Sequence, residues 1–261
     1  MSKLVLLILL GVFHGYSCGL ARPIKVLRYS NDVVTKGNSA YLFCQADSRI
    51  KSCTMTHMKD GMELSSEDNY DGSTNYLFTG SSVGSEYYHD LCLLTISNVD
   101  VTHAGDWRCS MQGCLGKFYK EGFVPITSMA CNKAVEEVQL KVVEEGGFGA
   151  IAGQHINYAE AKSEVLMEVK TNDNFDKCEI MKDGDDILKL VVDGDATKED
   201  CVNEGLPYGG EVCARVSEGT YGWNCVLKVE SMTEFQKGTW LFTIQKGNNL
   251  PEVIDVELVM L

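Results

Sequence analysis

Three residue patterns in this chain have the spacing of reactive or binding motifs. Gly80-Ser81-Ser82-Val83-Gly84 matches the G-x-S-x-G spacing of a serine nucleophile elbow. Such a serine reacts only where a strand turns sharply into a helix and presents it to a histidine. This one lies in a Ser/Gly-rich stretch with no helical period after it, and reads as a polar loop. Gly147-Phe148-Gly149-Ala150-Ile151-Ala152 fits G-x-G-x-x-A. That pattern holds a dinucleotide only in a βαβ unit, with the phosphates on a helix N-terminus. The residues that follow, EVLMEV, are strand-like, so the glycines read as an inter-domain linker. Asp183, Asp185, Asp186, Asp193 and Asp195 are rich enough in carboxylate for calcium, but the EF-hand spacing and its terminal Glu are absent. Asp-Gly at 183–184 and 193–194 is also common in hairpin turns. No C-x-x-C or H-x-x-H pair offers close-set zinc ligands. The expectation is a chain with no catalytic residue, no cofactor and no metal.

The cysteines are the more informative residues. The chain has 11. Cys18 falls in an N-terminal stretch of Lys3, the apolar run LVLLILLGVF and small residues. Residues 1–19 read as a signal peptide, cut after Gly19 or Ala21. The run is short for a membrane span, and PEVIDVELVML at the other end alternates like a strand and lacks the features of a lipid-anchor signal. Removing Cys18 leaves an even set, which suits disulfides in an oxidising compartment. The expected product is secreted and extracellular, without membrane insertion.

Net charge is −14. Residues 20–145 carry 12 basic and 16 acidic side chains, and residues 146–261 carry 10 and 21. This balance disfavours nucleic acid and anionic membrane surfaces, and it favours solubility. No Asn-x-Ser/Thr acceptor occurs, so N-glycans are not expected to cover either half.

The elements around the cysteines repeat. LCLLTISNVDVTHAGDWRC (91–109) lies without gaps over NCVLKVESMTEFQKGTWLF (224–242), pairing Cys92 with Cys225, Gly105 with Gly238 and Trp107 with Trp240. Upstream, Cys44 in SAYLFC aligns with Val169, and Cys53 with Cys178. Lys59-Asp60-Gly61 faces Lys182-Asp183-Gly184, which places Ile180 opposite His57. His57 itself reads as a buried, hydrogen-bonded side chain. A shared pair, Cys53–Cys92 and Cys178–Cys225, is the parsimonious bonding scheme. The repeat divides the chain into domains at 20–145 and 146–261.

An apolar strand, a polar turn and then Gly-x-Trp-x-Cys resembles the E strand, E–F corner and F strand of an immunoglobulin-fold domain, with Trp107 where Tyr is usual. The resemblance implies an all-β protein of two tandem immunoglobulin-like β-sandwiches stabilised by disulfides. It further implies that Cys44–Cys109 is the inter-sheet bridge of domain 1, replaced in domain 2 by Val169 and Phe242. Cys114–Cys131 and Cys201–Cys213 then remain, although counting alone leaves other pairings open. Tyr208-Gly209-Gly210, Cys225-Val226-Leu227 and Gly238-Thr239-Trp240 are similar to the fasciclin III-like group of arthropods. Such domains recognise other proteins, in adhesion, development or humoral defence, and the resemblance implies an extracellular protein ligand. Homophilic association fits the same reading, and a secreted effector or inhibitor that blocks a target protein is the alternative. The long segment between the F and G strands holds Lys117, Phe118, Tyr119, Lys120 and Phe123, cations beside aromatics in an acidic chain. That composition suits a binding hot spot, and these five residues are the expected partner contact.

Overall fold

Alternation of apolar and polar residues governs the architecture. AYLFCQA (β3, Ala40–Ala46) and VLMEVKT (β12, Val165–Thr171) bury every second side chain in the same pattern, as a strand with one face on a core must. The protein is described by a computed structural model over residues 24–47, 50, 52–65, 76–79, 91–114, 131–182, 188–194, 202–205 and 211–261. The expected signal segment lies outside them. The described residues form strands and no α-helix, so none is long and apolar enough to cross a membrane.

The strands through Val143 make two facing sheets. One has the order β1 (Val26–Ser30), β3, β7 (Leu91–Ile96), β6 (Tyr76–Thr79). The other runs β2 (Asp32–Thr35), β9 (Cys131–Val143), β8 (Gly105–Cys114), β4 (Ser52–His57), β5 (Glu63–Ser65). From Ala150 onward the plan recurs. One sheet is β10 (Ala150–Ala152), β12, β17 (Trp223–Val229), β16 (Glu211–Glu218), β15 (Val202–Gly205). Its partner is β11 (Ile156–Ala159), β19 (Glu252–Met260), β18 (Gly238–Gln245), β13 (Lys177–Lys182), β14 (Lys189–Asp193). In each half the first strand splits: β1 and β10 pair antiparallel in one sheet, whereas β2 and β11 cross over and pair parallel with the last strand of the other. These are tandem immunoglobulin-like sandwiches.

The cysteine level is built alike in both. Cys44 lies opposite Cys92, and Val169 opposite Cys225; Met55 lies opposite Cys109, and Ile180 opposite Phe242. Disulfides join Cys53 to Cys92 and Cys178 to Cys225, with Cα separations of 6.1 Å and 6.4 Å. Both spans lie within the usual range for a bridge. The register also corrects one alignment. His57 pairs with Trp107 and Lys182 with Trp240, so the counterpart of His57 is Lys182, and that of Ile180 is Met55. Alignment on the two Lys-Asp-Gly turns shifts β13 against β4 by two residues.

The expected Cys44–Cys109 bridge is corrected too. Both residues are fully buried free thiols within hydrogen-bonding reach of each other. Burial and that hydrogen bond push the Cys44 thiol well above its ordinary value. Cys53–Cys92 already ties the two sheets at this level, and the remaining pair packs as small apolar groups. Cys213 is disulfide-bonded, while Cys201 lies outside the described residues. The backbone places Cys114 opposite Cys131 at the end of the β8–β9 ladder.

Each domain is pinned by a tryptophan corner. Trp107 and Trp240 are fully buried, and their indole N–H groups donate to the carbonyls of His103 (3.1 Å) and Gln236 (2.9 Å). Gly105 and Gly238, two residues earlier, take φ of 131° and 117°, a region that a side chain would strain. His57 is buried and stacks on Trp107 with ring centroids 4.7 Å apart.

Two outcomes follow. Trp240→Phe should cost about 1–3 kcal/mol, because it strands a buried carbonyl. The half-buried Trp223→Phe should cost much less, and denaturant titration compares the two. The second concerns the thiols: Cys44 and Cys109 are free and fully buried. Alkylation of the unfolded chain without reductant, followed by peptide mapping, should label Cys44 and Cys109 and recover Cys53–Cys92 as a bridge. Recovery of Cys44–Cys109, Cys44–Cys53 or Cys92–Cys109 would contradict this.

Candidate recognition site between the two domains

A strand that leaves one sheet for another must break its hydrogen-bond ladder, and the freed groups need new partners. Domain 1 makes this crossing at Asn31, and domain 2 makes it between Ala152 and Ile156. The two crossings face each other. The Asn31 backbone N–H donates to the Gly153 carbonyl (3.0 Å), and its side-chain amide donates to the Ala152 carbonyl (2.9 Å). Its side-chain oxygen accepts from the Gln139 N–H (2.8 Å) within domain 1. The Lys170 ammonium, from domain 2, donates to the Asn31 carbonyl (3.0 Å) and to the Ser30 hydroxyl.

Further polar contacts extend the joint. The Tyr29 hydroxyl accepts from the backbone N–H groups of His155 (3.2 Å) and Ile156 (3.4 Å). Burial pushes that hydroxyl above its ordinary value. The Asn172 side chain donates to Thr35 Oγ1 and to the Gly147 carbonyl, both at 3.0 Å, and accepts from the Gly149 N–H at 2.8 Å. The Tyr221 hydroxyl exchanges hydrogen bonds with the backbone of Ser39 and leans on the domain 1 core. Lys141 forms an ion pair with Glu252 at 3.0 Å. Asn31 and Asn172 are 1% and 4% exposed, so these bonds form out of water, where leaving them unmade is costly.

Beside the joint opens a cleft of about 450 Å³. Domain 1 contributes Leu27, Tyr29 and Phe43, and domain 2 contributes Ile156, Tyr158 and Leu166. Leu27, Tyr158 and Leu166 are 60%, 62% and 48% exposed, an unusual concentration of large apolar side chains in water. The charges around them differ in kind. Lys170 is taken up by the joint, Glu164 pairs with Lys228 at 3.1 Å, and Glu168 accepts from Asn224. Glu136 is half-buried, and among the described residues no cation pairs with it. Desolvation raises its carboxyl above the ordinary value; the backbone N–H of Glu137 donates to it and pulls it partly back, while the Glu137 charge adds to the rise. The described residues hold no group of three side chains that could ligate a metal.

The five expected contact residues, Lys117, Phe118, Tyr119, Lys120 and Phe123, lie outside the described residues, as do the serine loop at 80–84 and Asp183, Asp185, Asp186 and Asp195. Gly147 and Gly149 do belong to the connection between the sandwiches. The cleft was missed, yet the sequence carries faint signs of it. Glu136 interrupts the inward row Ala134, Val138, Leu140, and Leu166 interrupts the outward row Glu168, Lys170.

No family model matches the chain, and no curated protein does. Among solved structures, it is similar to the N-terminal Ig1-2 module of the Drosophila receptor protein tyrosine phosphatase DLAR. That match has 14% identity and a TM-score of 0.29, covering 91% of this chain and 100% of that one. The RIG-5 IG1 homodimer matches at 14% identity and a TM-score of 0.33, covering 46% of this chain and 98% of that one. The likeness is to immunoglobulin modules.

The state of Glu136 can be read from stability. A carboxyl whose folded value is raised binds its proton more tightly when folded. The contribution of Glu136 to stability should therefore grow as pH falls from neutral through the raised value, until the unfolded chain protonates near about 4.3. Glu136→Gln removes that dependence. The variant should be at least as stable as wild type at neutral pH, with its advantage shrinking as pH falls toward about 4. A variant clearly less stable at neutral pH would mean that the carboxylate is paired.

Proposed function

We propose that this chain is a secreted extracellular recognition protein that acts by binding another protein and carries out no catalysis. The reading rests chiefly on the cleft. Leu27, Tyr158 and Leu166 stand exposed together beside a joint whose polar groups hold the two domains at one angle. Paired cysteines agree with an oxidising compartment, and the short apolar run after Lys3 supports export to one. An exposed apolar cluster rimmed by polar groups is the usual mark of a protein interface. Rigid partners lose little conformational entropy on docking, so a fixed inter-domain angle favours affinity.

The test is retention of a defined protein from extracellular fluid on the immobilised mature chain. Binding should survive high salt in part, because the contact is largely apolar, and should vanish when the chain is reduced and alkylated. If the folded chain retains nothing beyond an unrelated sandwich domain of equal charge, recognition is not its function.

A further inference from the structure

We infer that the inter-domain cleft receives an arginine side chain of the partner protein, flanked by apolar residues, with the guanidinium seated on Glu136. The inference rests on the recognition reading and names the chemistry of its ligand. It begins from an imbalance. Glu136 projects from β9 on the inward row, where its neighbours Ala134, Val138 and Leu140 are buried. The carboxylate is half withdrawn from water and has the Glu137 N–H but no described cation beside it, so a counter-charge that covers the cleft would pair with it. The other cleft charges do not supply the pair. Lys170 spends its donors on Ser30 and Asn31, and Arg28 is exposed at the rim. Glu136 is therefore an acceptor held ready for a cation from outside.

The walls narrow the choice of cation. Tyr29 and Phe43 line the same cleft, and Tyr29 is close enough to Glu136 for its hydroxyl to feel that charge. A guanidinium meets this environment better than an ammonium. It is more weakly hydrated, it stacks on aromatic faces, and its planar fork matches a carboxylate. A cleft of about 450 Å³ falls among those that hold ligands of roughly 300–1,000 Å³, which leaves room beyond one side chain. Leu27, Tyr158 and Leu166 would cover the apolar residues on either side of the arginine.

Short capped peptides provide the probe: Leu-Arg-Leu and the same peptide with citrulline, which keeps the shape and loses the charge. Titrated into the full chain, the arginine peptide should bind at least about tenfold more tightly, the scale of a charge pair in a partly desolvated site. Glu136→Gln should bring the two peptides to equal affinity. Leu166→Ala should weaken both while keeping the preference. Equal wild-type affinities, no binding of either peptide, or a preference that survives Glu136→Gln would each overturn the inference. So would a peptide-induced change in self-association without a difference between the two peptides, which would mark the cleft as a contact between copies of this chain. The recognition reading is judged separately. If Glu136→Gln and Leu166→Ala chains retain the extracellular partner as well as wild type does, recognition stands and the cleft assignment falls. If wild type retains none, both fall.

Discussion

One buried amide organises the region where the two sandwiches meet. Asn31 sits where the first strand abandons one sheet for the other, so its backbone has no ladder to join. Its side chain reaches Gln139 in its own domain and Ala152 in the next, and its main chain reaches Gly153 and Lys170. Inter-domain contacts in a single chain usually permit relative motion, because they are modest and polar. This one is polar too, but Asn31 and Asn172 are shut off from water, so opening it would leave donors and acceptors unmet. The angle between the domains, and with it the shape of the cleft, follows from hydrogen-bond satisfaction more than from apolar burial. Asp32 shows the electrostatic side of that constraint. Burial raises its carboxyl, whereas the N–H groups of Tyr41 and Val33 and the charge of Lys170 pull it back.

What was legible in the sequence was local. Strand alternation, the Gly-x-Trp corner and the repeated cysteine spacing each express a rule acting within a few residues or across one strand pair. The gapless match of 91–109 with 224–242 agrees with the register of both F strands. The joint was illegible for the opposite reason. Lys170, Asn172 and Tyr221 are ordinary surface residues by pattern, and their roles appear only when the outer face of β12 meets the crossing at Asn31. The misplaced counterpart of His57 has a simpler cause. Turn residues are shared by many turns, so aligning on Lys-Asp-Gly shifted a strand that its cysteine held in place.

The two domains fill one level of the core by different means. Each has a disulfide between its two sheets, from β4 to β7 in domain 1 and from β13 to β17 in domain 2. Beside it domain 1 places Cys44 and Cys109, and domain 2 places Val169 and Phe242, all fully buried. Burying Val and Phe side chains is worth roughly 1.5–3 kcal/mol each, comparable with the roughly 2–4 kcal/mol of one further bridge. Buried side chains fill this level in both domains, which is why the bridge usual in the fold can be absent from each without loss of the sandwich.

The position of Glu136 follows from the same crossing that makes the joint. β2 begins to pair with β9 only at Leu140, so the stretch of β9 before it has β8 on one side and, among the described residues, no paired strand on the other. An inward-pointing residue on that stretch looks toward the gap between β1 and β9 and meets water from the cleft, which is why a carboxylate is tolerated in a row that is otherwise apolar. Were β1 to continue along β9 without crossing, Glu136 would be covered and its charge unsupportable. The crossing at Asn31 thus does two things at once: it frees the backbone groups that bind domain 2, and it leaves open the edge through which Glu136 is reached.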